Sequence, residues 1–177
     1  MEELRDKNGL TEAEYLKNYD PHKWNTPSLT ADICIITDEK ERKLLLIRRG
    51  NHPFLGKWAL PGGFSEEGER IEETAARELE EETTIKMGAK ELTLVGVYSK
   101  PGRDPRGWTV TAAYLAVVDP LKIKPIAADD AADAKWFTVT GTEGDYHFIS
   151  EDLELTLKDL AFDHEDVVTD ALRMCNK

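Results

Sequence analysis

Residues 62–85, GGFSEEGERIEETAARELEEETTI, decide how this chain is read. The spacing predicts a helix over roughly 71–84. Glu78, Glu81 and Glu82 stand at i, i+3 and i+4, which places three carboxylates along one helical edge. Three like charges this close destabilise a helix and resist ionising together. A divalent cation is the natural compensation, and carboxylate oxygen suits magnesium, manganese or calcium better than zinc or copper. Ala75, Ala76 and Leu79 make the neighbouring face small and apolar, fit to pack on a sheet. An acidic helix is more often a plain solvated face, so the surrounding residues must decide.

Those residues stand at fixed distances. Gly63 is followed after five residues by Glu69, and after seven more by Arg77-Glu78-Leu79; Glu81-Glu82 and Ile85 complete the series. This resembles the box of the Nudix hydrolase family: glycine, five residues, glutamate, seven residues, Arg-Glu, an aliphatic, any residue, Glu-Glu, any residue, glycine, an aliphatic. The one departure is Thr84, which stands where the family has glycine. That glycine suits a left-handed helix exit, which β-branched threonine dislikes, so the helix end is expected to shift or to close differently.

The resemblance implies an α+β fold, an α/β/α sandwich with a mixed sheet packed between helices. It implies that Glu78, Glu81 and Glu82 are catalytic and bind Mg2+ or Mn2+, that the Gly63 carbonyl joins them, and that Glu69 and Arg77 give structural support. Glu82 is one candidate base; Asp129, Asp130 and Glu143 are others, in expected loops where solvent exposure is the commoner fate. Metal ions neutralise charge on a diphosphate and acidify bound water, which is the chemistry such a site requires.

Four outer stretches resemble one branch of the family, the ADP-ribose pyrophosphatases and ADP-ribose-sensing regulators. They are residues 18–32 (NYDPHKWNTPSLTAD), 45–64 (LLIRRGNHPFLGKWALPGGF), 99–117 (SKPGRDPRGWTVTAAYLAV) and 160–174 (LAFDHEDVVTDALRM). The branch implies hydrolysis of ADP-ribose to AMP and ribose 5-phosphate. The alternatives are a nucleoside triphosphate pyrophosphohydrolase acting on oxidised nucleotides, or a non-catalytic ADP-ribose sensor. Related regulators carry a winged helix after the Nudix domain, for which a chain ending near Cys175 is expected to lack room. Arg103 and Arg106, in a loop shaped by Pro105 and Gly107, are candidate phosphate ligands, as are Arg48 and Arg49 at a strand end. Trp58 and Trp108 are candidates for stacking on a base, with core packing the commoner outcome.

The remaining elements follow from periodicity. A helix over 10–19 is expected to start with a capping box, Thr11 with Glu14. Strands are expected at 29–37, 43–49, 58–60, 91–99, 108–118 and 135–139, and a helical pattern over 151–177 with Asp163 at an N-cap. This order predicts α+β or α/β in one domain, residues 29–177, preceded by a helix and linker over 1–28.

Composition sets the limits. The 177 residues are 40% hydrophobic and 33% charged, as in a globular domain. A net charge of −12 opposes nucleic acid and anionic membranes, and it would repel a phosphate substrate unless cations act locally. The small-molecule substrate that the resemblance implies is a nucleotide diphosphate. The polar N-terminus and the two distant cysteines suggest a cytoplasmic protein. Four scattered histidines offer no metal-ligand spacing. A homodimer is a further expectation of the branch.

Overall fold

The computed structural model describes residues 3–119 and 131–176, with backbone alone for 131–133. Helix α1 (Glu12–Lys17) comes first, capped at Thr11 by both bonds of the capping box. It is followed by strands β1 (Ser28–Thr37), β2 (Lys43–Arg49), β3 (Trp58–Ala59) and β4 (Gly62–Phe64), then helix α2 (Ile71–Thr83). Strands β5 (Thr93–Tyr98), β6 (Thr109–Val118), β7 (Ala131–Thr142), β8 (Asp145–Ile149) and β9 (Glu154–Thr156) precede helix α3 (His164–Cys175).

The strands form one mixed sheet in the order β5-β6-β1-β2-β7-β8-β9, with β3 beside β2 and β4 beside β1. Only the β1–β6 pair among these is parallel, in register from Ser28↔Thr109 to Thr37↔Val118. Successive side chains of a strand face opposite ways, and β1 uses this to build two cores. Ile33 and Ile35 pack towards Ala75 and Leu79 of α2. Cys34 and Ile36 pack towards Val167, Val168, Ala171 and Leu172 of α3. The two helices therefore cover opposite faces, and the fold is the α/β/α sandwich with a mixed sheet.

One expectation fails in the last third. The helical pattern over 151–177 holds only from His164. Leu153, Leu155 and Leu157 alternate with polar neighbours, and that period of two becomes β9, paired with β8. Asp163 does occupy the N-cap position of α3, but its side chain makes no cap bond; Arg103 takes it instead.

Candidate active site

Strand β4 lies antiparallel to β1, pairing Asp32 with Gly62 and Ala31 with Gly63. Gly62 takes φ 154°, and a Cβ there would collide with Ala31 and Asp32 backbone. A Cβ on Gly63 would fall on the carboxylate of Glu78. Glycine at both places lets the acidic helix close directly on the turn. The Gly62 amide then donates to Glu82 Oε2 at 2.8 Å.

Arg77 organises the acids. Its Nε donates to Glu69 Oε1 at 2.8 Å, its Nη1 to Glu78 at 2.7 Å and Glu81 at 3.1 Å, and its Nη2 to the Phe64 carbonyl at 3.0 Å. The Arg77 bond holds the Glu69 carboxyl down to about 2. Glu78 moves the other way: burial pushes it up, and Arg77 offsets that only in part.

Glu78, Glu81, Glu82 and Gly63 line one cavity of about 440 Å³, together with Arg49, Arg103 and Arg106. That volume lies in the range of small-molecule sites. Among the described residues, no three His, Cys, Asp or Glu side chains converge into a ready cation cage. Arg77 draws Glu78 and Glu81, while the Gly62 amide holds Glu82. The donor set still fits a hard divalent ion, because it is all oxygen and because bare Gly63 admits the Glu78 carboxylate against backbone.

The arginines part company. Arg49 Nε is tied to the Pro53 carbonyl at 2.7 Å, and its guanidinium lies 5.0 Å from the Phe162 ring centroid. Arg106 is paired with Asp104 at 2.7 Å and lies over Phe64 at 5.0 Å. Arg48, one residue along the strand, leans on the Gly56 carbonyl and does not line the cavity. Arg103, a candidate phosphate ligand in the sequence, lines the cavity with its guanidinium already engaged. It is only 7% exposed and grips Asp163 with Nε and Nη2, with Asp32 at 3.5 Å.

Asp32, Phe162 and His164 also line the cavity and went unread in the sequence. Asp32 left one signal, a lone charge inside the apolar run of β1. Burial works against its charge, yet its carboxyl stays below the usual carboxylate range because His164, Thr111 and Arg103 offset that cost. Trp58 packs edge-on against Phe137 in the core at 5.0 Å. Trp108 is 58% exposed, away from this cavity. Glu143 pairs with Arg173 in the β7–β8 turn, outside the cavity, and Asp129 and Asp130 lie outside the described residues. No helix among the described residues is long and apolar enough to cross a membrane.

Comparison with known proteins agrees with this architecture. The NUDIX domain model matches residues 27–152. An ADP-ribose pyrophosphatase of Methanocaldococcus jannaschii is 41% identical over 150 residues, 85% of this chain and 76% of that protein. An ADPR responsive transcriptional repressor, NtrR, of Acinetobacter baylyi is 33% identical over 96% of this chain, which spans 62% of the repressor's length. The NUDIX domain of Shewanella oneidensis NrtR, solved with ADP ribose, superposes with a TM-score of 0.72 at 34% identity, covering 94% of this chain and 99% of that one. With the box, the sandwich and these relatives in agreement, the chain belongs to the Nudix hydrolase family.

Proposed function

We propose that this Nudix hydrolase cleaves ADP-ribose to AMP and ribose 5-phosphate, using Mg2+ or Mn2+. The observation that carries the reading is one cavity lined both by Glu78, Glu81 and Glu82 and by Arg49 and Arg106, in a molecule of net charge −12. Acids alone would repel a diphosphate, and arginines alone would not need the acids. Together they suit a doubly anionic linkage that arrives with a cation.

Glu78, Glu81, Glu82 and the backbone at Gly63 would hold the ion. When bound, it supplies charge neutralisation on the phosphate oxygens and makes water easier to deprotonate. Glu82 takes the water proton as the oxygen attacks phosphorus and the bridging P–O bond breaks. The leaving phosphate carries away the bond electrons. Arg49 and Arg106 bind the non-bridging oxygens through their N–H donors. Arg77 stays with Glu69 and keeps the acids in place.

The test is a Mg2+ and Mn2+ hydrolysis panel over ADP-ribose, NADH, dinucleoside polyphosphates and nucleoside triphosphates, with product identification. AMP and ribose 5-phosphate from ADP-ribose, at the highest kcat/KM of the panel, is the expected result. Preference for a triphosphate, with pyrophosphate released, would overturn it. A second reading, an ADP-ribose sensor, is favoured by the likeness to an ADP-ribose-bound regulator domain. Binding of ADP-ribose without any product under both metals would establish that reading.

A further inference from the structure

Three consecutive residues at the start of α3, Phe162, Asp163 and His164, take no part in the chemistry above, yet each holds a different piece of the cavity. Phe162 has φ 54°, a left-handed conformation that a bulky residue keeps only under constraint from its surroundings. Its ring lines the cavity, with the Arg49 guanidinium at 5.0 Å and that of Arg106 at 5.8 Å. Two cations sharing one ring repel each other. Among the described residues no carboxylate forms a salt bridge with Arg49, whose Nε rests on the neutral Pro53 carbonyl, and Asp104, Glu82 and Asp32 attract it only from farther away. Asp104 already pairs with Arg106, and an anion between the two guanidiniums would relieve the repulsion that remains.

His164 acts on the other set of groups. Its Nδ1 accepts the Leu60 amide at 2.9 Å, so the ring proton sits on Nε2, 3.6 Å from Asp32 Oδ1. Leu60 leads into the glycine turn. The Pro61 carbonyl accepts from Ile33 N–H at 2.8 Å, and the Gly62 amide reaches Glu82 at 2.8 Å. The turn that meets Glu78 and Glu82 is thus tied at its start to α3. Asp163, between the two, holds Arg103 with both carboxylate oxygens.

We infer that Phe162-Asp163-His164 is a positioning element for the whole site: Phe162 sets Arg49 and Arg106 for phosphate oxygens, and His164, through Leu60, sets the Gly62–Gly63 turn against the metal-binding acids. What the site receives rests on the hydrolase reading above; the placement of the two sets does not. Side chains supporting metal ligands from outside commonly change affinity or activity when replaced, by about 10–100-fold.

The test separates the two halves. His164→Asn keeps an acceptor near the Nδ1 position; His164→Gln keeps the bulk and moves the acceptor away from Leu60. Phe162→Leu loses the ring face, and Phe162→Tyr keeps it. Mn2+ affinity is measured by electron paramagnetic resonance without substrate, and kcat and KM for ADP-ribose at saturating Mn2+, with melting curves for every variant. His164→Gln is expected to weaken Mn2+ binding by about tenfold or more, with His164→Asn restoring most of it and KM little moved. Phe162→Leu is expected to raise KM about tenfold with kcat and Mn2+ affinity near wild type, and Phe162→Tyr to restore KM. Wild-type constants in both variants, or parallel shifts in both constants that track a lower melting temperature, would overturn the inference. If the wild type does not hydrolyse ADP-ribose, the functional reading falls, and calorimetry with inorganic pyrophosphate on the Mn2+-loaded protein replaces KM: weaker binding by Phe162→Leu supports the inference, equal binding overturns it.

Discussion

Glu69 and Glu82 belong to one acidic box but do separate jobs, and substitution by glutamine tells them apart. Glu82 lines the cavity and accepts the Gly62 amide. Glu82→Gln keeps an acceptor for that amide and removes the proposed base, so kcat is expected to fall by about 10²–10⁴ while the melting temperature stays within a few degrees. Steady-state kinetics beside a thermal melt checks this; near-normal metal-dependent turnover would refute the assignment. Glu69 acts through Arg77, whose hydrogen bond lowers its carboxyl from 4.5 to about 2. A lowered folded-state value means the stabilisation is complete above the ordinary value and disappears as pH falls through the folded one. The melting gap between wild type and Glu69→Gln is therefore expected to be full near neutral pH and to close between about pH 4.5 and 2. A gap that persists unchanged at the acid end would contradict the pairing. These box positions were legible because local helix geometry sets their spacing. Asp32, Phe162 and His164 were not, because what gives them meaning is contact with residues far away in the chain, as in His164 with Leu60.

At the level of elements, the end of α2 answers the question raised by Thr84. The helix stops at Thr83, and Thr84 adopts the left-handed cap at φ 62°, its amide bonded to the Glu80 carbonyl at 2.8 Å. Threonine thus takes the conformation expected of the family's glycine, and the helix end does not move. An L-residue with a Cβ is disfavoured there by about 1–2 kcal/mol, partly balanced by glycine's greater freedom in the unfolded chain. Thr84→Gly is expected to raise the melting temperature by about 2–4 °C, since about 1 kcal/mol moves a domain of this size by that much. Calorimetry decides, and a lower melting temperature would show that the exposed threonine makes contacts worth more than the strain. The central strands were readable from apolar runs that the sheet buries on both faces. Strands β8 and β9 were not: both are short, β9 is the edge strand, and Leu155 and Leu157 precede a true helix closely enough to blur two periods into one. Strand β4 escaped notice because Pro-Gly-Gly signals a turn, and only pairing with β1 makes its next residues a strand.

Across the whole molecule, one cavity lined by Glu78, Glu81, Glu82 and three arginines lies in a chain of net charge −12. Among the described residues, the segment before β1 adds none to the hydrophobic cores of the sandwich. Helix α1 buries no residue, and Leu4, Leu16 and Trp24 are exposed. A chain beginning at Pro27 is expected to fold with a melting temperature within about 2–4 °C of the full chain, the shift that about 1 kcal/mol would produce; a larger loss on a thermal melt would show that this segment packs on the domain or on a second copy. The cavity holds three carboxylates, and Arg77, shared with Glu69, offsets only part of their mutual repulsion. Mn2+ titration followed by electron paramagnetic resonance measures directly whether a cation joins them. Wild-type protein is expected to take up Mn2+ and the Glu78→Gln, Glu81→Gln, Glu82→Gln triple variant, folded by its melting curve, to lose that uptake; equal binding by the two proteins would contradict the assignment of these acids to the ion.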